Sequence, residues 1–157
     1  MIELIDKCDA KVMQGIIDLE TEAFGIGGLN AWHLVPLIRH GRVFVMRENQ
    51  AVIGSVQYML DWSNTQKAYM FGVSVAKNYR GKGIGTNLLK DSIKGLAGEG
   101  ISEIELTVDP GNVGAIKVYE EKLGFTISEF RKNEYGEGED RLVMNLPVKV
   151  FMDKSSG

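Results

Sequence analysis

The chain contains very little cysteine, and this limits the ways in which it can be stabilised. Cys8 is the single cysteine among 157 residues, so an internal disulfide cannot form. Without partner cysteines, Cys8 is also a poor candidate for a structural metal site. We therefore predict a fold held together by an apolar core, and a functional site without a metal.

Long apolar runs and an excess of positive charge are also missing. Nowhere do about 18 apolar residues follow one another, and the first residues, MIELIDKCDAK, lack the basic start and apolar stretch of a signal peptide. These features predict a cytoplasmic protein with no membrane partner. The formal net charge is −3, and basic and aromatic residues are not interleaved, so nucleic-acid binding is not expected.

What the chain does contain is typical of one globular domain. Apolar residues make up 44% of the sequence and charged residues 25%, and a chain of this length can bury a full core. No repeat, low-complexity block or linker divides it. We predict a single domain at residues 1–152, followed by a short polar tail at residues 153–157.

The order of the apolar patterns predicts an α/β protein of the α+β type. A strand and two helices come first, and the runs RVFVMRE, AVIGSVQYML and KAYMFGVSVA then predict three strands joined by short polar turns. A helix, a strand and another helix follow, and a closing hairpin completes the chain. We expect a mixed, mostly antiparallel sheet of about seven strands flanked by about four helices.

The stretch NYRGKGIGTNLLK, residues 78–90, is a glycine-rich turn that leads into a helix. It is not a P-loop, because Ala76 stands where that motif needs its first glycine, and it is not a dinucleotide fingerprint, because Thr86 stands where the last glycine belongs. Its backbone N–H groups and the helix N-terminus would suit an anion such as a pyrophosphate. The alternative is that the glycines only permit a tight strand-to-helix corner.

A second pattern follows 27 residues after Gly85, in the sequence NVGAIKVYEEKLGF. It predicts a helix over residues 112–123. Asn112 and Tyr119 are seven residues apart, or two helical turns, so an amide and a phenol would face the same side. Both side chains could then contact one elongated ligand.

Together the two patterns resemble the signature of the GNAT family of N-acetyltransferases. The first half of that signature is matched by Arg80, Gly83 and Gly85. The second half is matched by Asn112, Ala115, Tyr119, Gly124 and Phe125. The similarity covers residues 73–125 and implies the GNAT acyl-CoA N-acyltransferase fold.

The resemblance implies that acetyl-CoA is the cosubstrate, bound where two neighbouring strands splay apart. The backbone of Val73 and Val75 would pair with the pantetheine arm, and Asn112 would contact the same region. The Val73 N–H would also stabilise the charge that develops on the thioester oxygen. The pyrophosphate would be held by the residues of the glycine-rich turn, which are Arg80, Gly81, Lys82, Gly83, Ile84, Gly85 and Thr86.

The resemblance also implies the chemistry. A primary amine of a small molecule or peptide would attack the thioester directly, and Tyr119 would protonate the departing thiolate. The acceptor site would be built from residues 24–37, residues 58–62 and the closing hairpin near Tyr135, where the acidic sequence GEGED would suit a cationic amine. The alternative is a non-catalytic acyl-CoA-binding regulatory module. Dimers are frequent in such folds, so a homodimer is compatible with this sequence.

The general base is the point at which the sequence departs from the family. Histone-type relatives carry a glutamate at the position near Tyr69, and ribosomal-protein N-terminal acetyltransferases carry one near Thr107, but neither residue is a carboxylate here. The remaining candidates are ionisable residues elsewhere in the chain, namely Glu22, His33, His40, Asp61 and Asp109. Such residues are more often ordinary surface or structural residues than bases, so the base stays unassigned.

Overall fold

The computed structural model describes residues 2–155. Within this range the helices and strands are β1 (Ile2–Leu4), α1 (Ala10–Phe24), α2 (Ala31–His40), β2 (Arg42–Glu48), β3 (Ala51–Leu60), β4 (Lys67–Val75), α3 (Ile84–Gly98), β5 (Glu103–Val108), α4 (Val113–Lys117), β6 (Thr126–Arg131), β7 (Arg141–Pro147) and α5 (Val148–Ser155). None of the helices in this described range combines the length and the apolar character needed to cross a membrane.

The strands of the described range form one mixed sheet. Seven strands lie in the order β1-β2-β3-β4-β5-β7-β6. β1, β2 and β3 are successively antiparallel, as are β5, β7 and β6. β4 and β5 are parallel, and their register joins Lys67–Tyr69 to Glu103–Glu105. The predicted α/β class and the mixed, mostly antiparallel sheet are confirmed.

The described residues divide into two compact units. The first contains the residues up to Met59 together with Phe71–Ser92, and the second contains Leu60–Met70 together with the residues from Ile93 onward. Compact units of this kind reflect contact density and do not by themselves define folding domains. The single domain predicted at residues 1–152 therefore stays a prediction.

Helix α1 shows how the first unit builds its core. Asp9 ends the preceding loop, and its Oδ1 accepts hydrogen bonds from the N–H groups of Lys11 (3.0 Å) and Val12 (3.1 Å), which fixes the start of the helix. The helical repeat of 3.6 residues then places apolar side chains on one face. The resulting core cluster contains Ile5, Val12, Ile16, Leu29, Leu34, Leu37, Ile38, Val43 and Val45.

The second unit contains a helix that the sequence did not predict. α5 follows β7 without an intervening turn and buries Val148 and Phe151. The apolar pattern VKVF reads equally well as the end of a strand, which is why the helix was missed. Asp153–Ser155, assigned from the sequence to a polar tail, belong to α5, and Ser156 and Gly157 lie outside the described residues.

Candidate functional site

The glycine-rich turn of the first unit connects β4 to α3. Gly81 and Gly83 have φ angles of +77° and +79°, which is left-handed backbone that residues with a Cβ rarely adopt. A Cβ added at either position would have no heavy atom within 4 Å. The requirement for glycine here is therefore conformational, and open space surrounds the backbone on that side.

The two cationic side chains of this turn, Arg80 and Lys82, make contacts within the protein. Arg80 Nε donates a hydrogen bond to the Val75 carbonyl at 3.0 Å. Arg80 Nη2 lies 3.9 Å from Glu22 Oε1, which also accepts a hydrogen bond from the Lys77 N–H. Lys82 Nζ lies 5.5 Å from the centre of the Tyr79 ring. Glu22, one of the candidates for the general base, thus helps to fix the start of the turn.

The residues predicted to hold the pantetheine arm lie at the end of β4. Val73 and Val75 are half-buried, whereas Ser74 between them is buried. The parallel pairing of β4 with β5 ends at Tyr69. β4 therefore continues beyond its last residue pair with β5, as far as Val75.

In the second unit, Asn112 begins a helix whose hydrogen bonding soon changes. Asn112 Oδ1 accepts from the Ala115 N–H at 3.3 Å and caps α4, which has only five residues. A π-helical turn follows at Val118–Leu123, and the Gly124 N–H donates to the Tyr119 carbonyl at 3.0 Å, an i→i+5 bond. The predicted helix is present, but the spacing of 3.6 residues per turn does not hold through to Tyr119.

Tyr119 itself is half-buried and lies beside another aromatic ring. Its ring centre is 5.8 Å from that of Phe125, with the two planes inclined by 57°. Burial raises the pKa of the Tyr119 phenol above its ordinary value. The phenol is therefore protonated at neutral pH and can act as a proton donor.

A cluster of hydroxyl groups in the second unit was not predicted as a cluster. The Tyr69 hydroxyl is 2.9 Å from Thr107 Oγ1 and 3.4 Å from the Tyr135 hydroxyl. The guanidinium of Arg141 lies over the Tyr135 ring, 4.8 Å from its centre. Burial, as the largest cause, raises the pKa of Tyr69 to about 12.

This cluster contains Tyr69 and Thr107, the two positions at which relatives of the GNAT family carry a glutamate and this chain does not. Tyr69 pairs in register with Glu105 of β5, and Thr107 lies two residues further along the same strand. Alternate residues of a strand share a face, so the parallel register is the signal that could have placed Tyr69 beside Thr107. Glu105 is not free to act as the base, because Lys67 Nζ is 2.7 Å from its Oε1.

Three of the remaining candidates for the base hold local backbone in place, and the fourth, His40, lies in the last turn of α2. Asp61 Oδ1 accepts from the N–H groups of Ser63 and Asn64, and Asp109 Oδ1 accepts from that of Gly111. His33 Nδ1 accepts from the Asn30 N–H in a capping box at the start of α2. These contacts are the ordinary roles of such side chains at turns and helix starts.

Acidic side chains in the turn of the closing hairpin also form contacts with other residues of the hairpin. Glu139 Oε2 is 3.3 Å from Arg141 Nη1, and Asp140 Oδ1 accepts from the Asn133 N–H at 2.8 Å. The Gly138 N–H donates to Asn133 Oδ1. The sequence GEGED is therefore weak support for a cationic acceptor, because two of its three carboxylates, Glu139 and Asp140, contact other residues of the hairpin.

Comparison with known proteins agrees with the two motifs. The model of the acetyltransferase (GNAT) family matches residues 13–125. An N-alpha-acetyltransferase of Saccharolobus solfataricus is 32% identical over 115 residues, which cover 67% of this chain and 68% of the relative. The [ribosomal protein bS18]-alanine N-acetyltransferase of Escherichia coli strain K12 is 33% identical over 103 residues, which cover 64% and 66% of the two chains.

The fold is shared with solved acetyltransferases. An aminoglycoside 6′-N-acetyltransferase in complex with coenzyme A superimposes with a TM-score of 0.77 at 16% identity, over 94% of this chain and 97% of the other. At that identity the likeness concerns the fold, and it confirms the fold that the resemblance implied. The match of the family model to residues 13–125 and the 32% identity to the Saccharolobus solfataricus relative show that the chain belongs to the GNAT family of acetyltransferases.

Proposed function

We propose that the protein transfers the acetyl group of acetyl-CoA to the primary amine of a peptide or small molecule, in the cytoplasm. The observation that carries the proposal is the turn between β4 and the 15-residue helix α3, with left-handed glycines at positions 81 and 83. This turn offers backbone N–H groups and a helix N-terminus to an anion. The pyrophosphate of coenzyme A is an anion of that kind.

The proposed cosubstrate contacts extend from this turn in both directions. Residues 80–86 would hold the pyrophosphate through their backbone N–H groups, with Lys82 adding positive charge. Val73 and Val75 would pair with the pantetheine arm, since the pairing of β4 with β5 ends before them. Asn112 would contact the same arm through its amide NH₂ group, because its Oδ1 caps α4. A solved acetyltransferase that shares this fold was determined in complex with coenzyme A, which supports acetyl-CoA as the cosubstrate.

The proposed reaction is a direct transfer without an acyl-enzyme intermediate. The neutral amine nitrogen attacks the thioester carbon, and the Val73 N–H donates a hydrogen bond to the oxygen on which charge develops. The C–S bond then breaks, and the Tyr119 phenol gives its proton to the thiolate. The new amide nitrogen loses a proton, which returns to the Tyr119 phenolate and restores the phenol, so the products are the N-acetylated amine and free coenzyme A.

The amine must lose a proton before it attacks, and Tyr69 is not the base for this step. With a pKa of about 12, its phenolate is scarce at neutral pH. Its hydroxyl can instead orient an acceptor or a water molecule through the contacts with Thr107 and Tyr135. In this proposal water takes the amine proton, and no carboxylate of the chain is needed as the base.

A peptide N-terminus is the acceptor that the relatives favour. One sequence relative named above is an N-alpha-acetyltransferase, and the other is an alanine N-acetyltransferase of a ribosomal protein. Exposed apolar side chains stand in two of the segments predicted to line the acceptor site: Ile26 and Trp32 in the first unit, and Trp62 in the second. Such side chains suit the first residues of a peptide better than they suit a strongly hydrated polyamine or amino sugar.

The experiment is to incubate the protein with acetyl-CoA and a panel of amines while free thiol is measured. The panel contains short peptides with free N-termini, the same peptides with blocked N-termini, a polyamine and an amino sugar. We expect thiol release with the free peptides only, and an added mass of one acetyl group on their N-termini. Binding of acetyl-CoA without thiol release for any amine would favour the regulatory module instead.

A further inference from the structure

Glu20 is a buried carboxyl group that the proposed reaction does not use. It lies in the last part of α1, and only 4% of its surface is exposed. A carboxyl group in such a place is unfavourable unless it is hydrogen-bonded, so its partners show what it stabilises. Burial is the largest influence on this group and raises its pKa, while its two hydrogen bonds lower it.

The two partners of Glu20 belong to different parts of the first unit. The Ser74 hydroxyl donates to Glu20 Oε1 at 3.4 Å, and the Leu29 backbone N–H donates to the same carboxyl group. Ser74 stands between Val73 and Val75 on β4. Leu29 lies in the turn Gly25–Asn30, which leads from α1 to α2. The carboxyl group therefore joins this turn to the strand that is proposed to hold the acyl group.

The backbone of the same turn also lies directly against Glu20. A Cβ added at Gly28 would be 2.7 Å from the Glu20 carbonyl oxygen, closer than such atoms approach in proteins. The segment Gly25–Asn30 has three glycines, and glycine has more backbone freedom to lose than any other residue. A turn of this composition needs fixed points, and the contacts at residues 28 and 29 supply them.

The turn and its flanks present apolar side chains to solvent. Ile26 and Trp32 are almost fully exposed, and Phe24 is exposed by 57%. These residues lie within the segment proposed to line the acceptor site, just before and after the contacts with Glu20. Fixing the turn fixes the positions at which these side chains emerge.

We infer that Glu20 is a positioning residue for the acceptor, because it fastens the turn Gly25–Asn30 to β4 next to Val73. The inference rests on the proposed function, since it assigns the turn to acceptor binding. Glu20 does not contact the reacting atoms. Its loss leaves the cosubstrate strand in place and frees the turn.

Two substitutions of similar size separate this role from a merely structural one. Glu20→Leu keeps the buried volume and removes both hydrogen bonds, whereas Glu20→Gln keeps an oxygen that can accept from the Leu29 N–H. Glu20→Leu leaves the Leu29 N–H and the Ser74 hydroxyl without this acceptor, so the variants are compared at a temperature at which thermal unfolding shows each of them to be folded. Asp18→Asn, at an exposed position of the same helix, is the matched control.

The first measurement is hydrogen exchange of the backbone N–H groups in Gly25–Asn30. We expect Glu20→Leu to exchange about tenfold faster there, the effect of losing one hydrogen bond to a charged group. Glu20→Gln and Asp18→Asn should stay near the wild type. Unchanged exchange in Glu20→Leu would overturn the inference whether or not the protein is active.

The second measurement compares the two KM values with a peptide acceptor. In Glu20→Leu the KM for the acceptor should rise about tenfold, and the KM for acetyl-CoA should stay within about twofold. Glu20→Gln should recover most of the loss. An equal rise in both KM values, or faster exchange with an unchanged acceptor KM, would show a purely structural role. A wild type that transfers no acetyl group would instead contradict the proposed function, and the exchange result would stand by itself.

Discussion

Two strand-to-helix turns, one in each unit, carry most of the proposed site, and they are built in different ways. The turn after β4 relies on backbone: two left-handed glycines precede a regular helix of 15 residues. The segment after β5 relies on side chains: Asn112 caps a helix of five residues, and a π-helical turn carries Tyr119. The first design suits a ligand held through backbone N–H groups, and the second suits the placement of one reactive hydroxyl.

The largest expected effect tests the second turn. Tyr119→Phe should lower kcat by about a hundredfold, because the departing thiolate loses its proton donor. The acetyl-CoA affinity should change by less than about twofold, since the phenyl ring keeps its contact with Phe125. Rapid-quench kinetics and calorimetry measure the two quantities. A parallel loss of affinity and kcat would mean that Tyr119 mainly packs and does not donate a proton.

The next effect tests the first turn. Gly83→Ala forces a residue with a Cβ into left-handed backbone, which costs about 1–2 kcal/mol, so the turn should relax and acetyl-CoA affinity should fall about tenfold. Gly98→Ala is the matched control, because Gly98 lies at the end of α3 without a positive φ and with open space around it. Calorimetry with acetyl-CoA measures both variants. An equal effect in the two would refute the role of the left-handed turn.

A smaller effect tests the hydroxyl cluster of the second unit. Tyr69→Phe removes the hydroxyl that contacts both Thr107 and Tyr135. The free energy of unfolding should fall by about 1 kcal/mol, as expected for lost hydrogen bonds of partly buried groups. Denaturant unfolding measures this change. The acetyl-CoA affinity should not change, and if it does, the cluster contributes to the cosubstrate site and not only to the acceptor side.

The two turns also differ in how well the sequence predicted them. Glycine conformation is a local property, so the spacing of Gly81 and Gly83 was enough to predict a backbone turn at the start of α3. The π-helical turn was not predictable in this way, because the change at Val118 leaves no mark in the apolar pattern. It depends on the Gly124 and Phe125 N–H groups, which both donate to the Tyr119 carbonyl.

Contacts between distant residues were the other part that the sequence could not supply. The bond between Tyr69 and Thr107 depends on the parallel register of β4 and β5. The bond between Glu20 and Ser74 depends on how α1 packs on β4. Strand register and helix packing depend on the packing of the whole core. The sequence patterns therefore predicted the helices and strands, but they did not predict these two hydrogen-bonded pairs.

The pH dependence of acetyl-CoA affinity and of kcat should also distinguish the two turns. This is the smallest of the expected effects at neutral pH. Backbone N–H groups do not titrate, so the part of the proposed pyrophosphate binding that they supply gives no alkaline loss of acetyl-CoA affinity. Tyr119 is active as the protonated phenol, and burial raises its pKa above the ordinary value of about 10. The protonated form is therefore present through neutral pH and is lost only as the pH rises through the raised pKa. We expect no decline of kcat in the wild type until the pH exceeds the ordinary phenol value of about 10, followed by a fall, while the residual kcat of Tyr119→Phe lacks this decline. A decline that begins well below pH 10, or that persists in Tyr119→Phe, would assign the titration to another group and remove the phenol from the proton transfer.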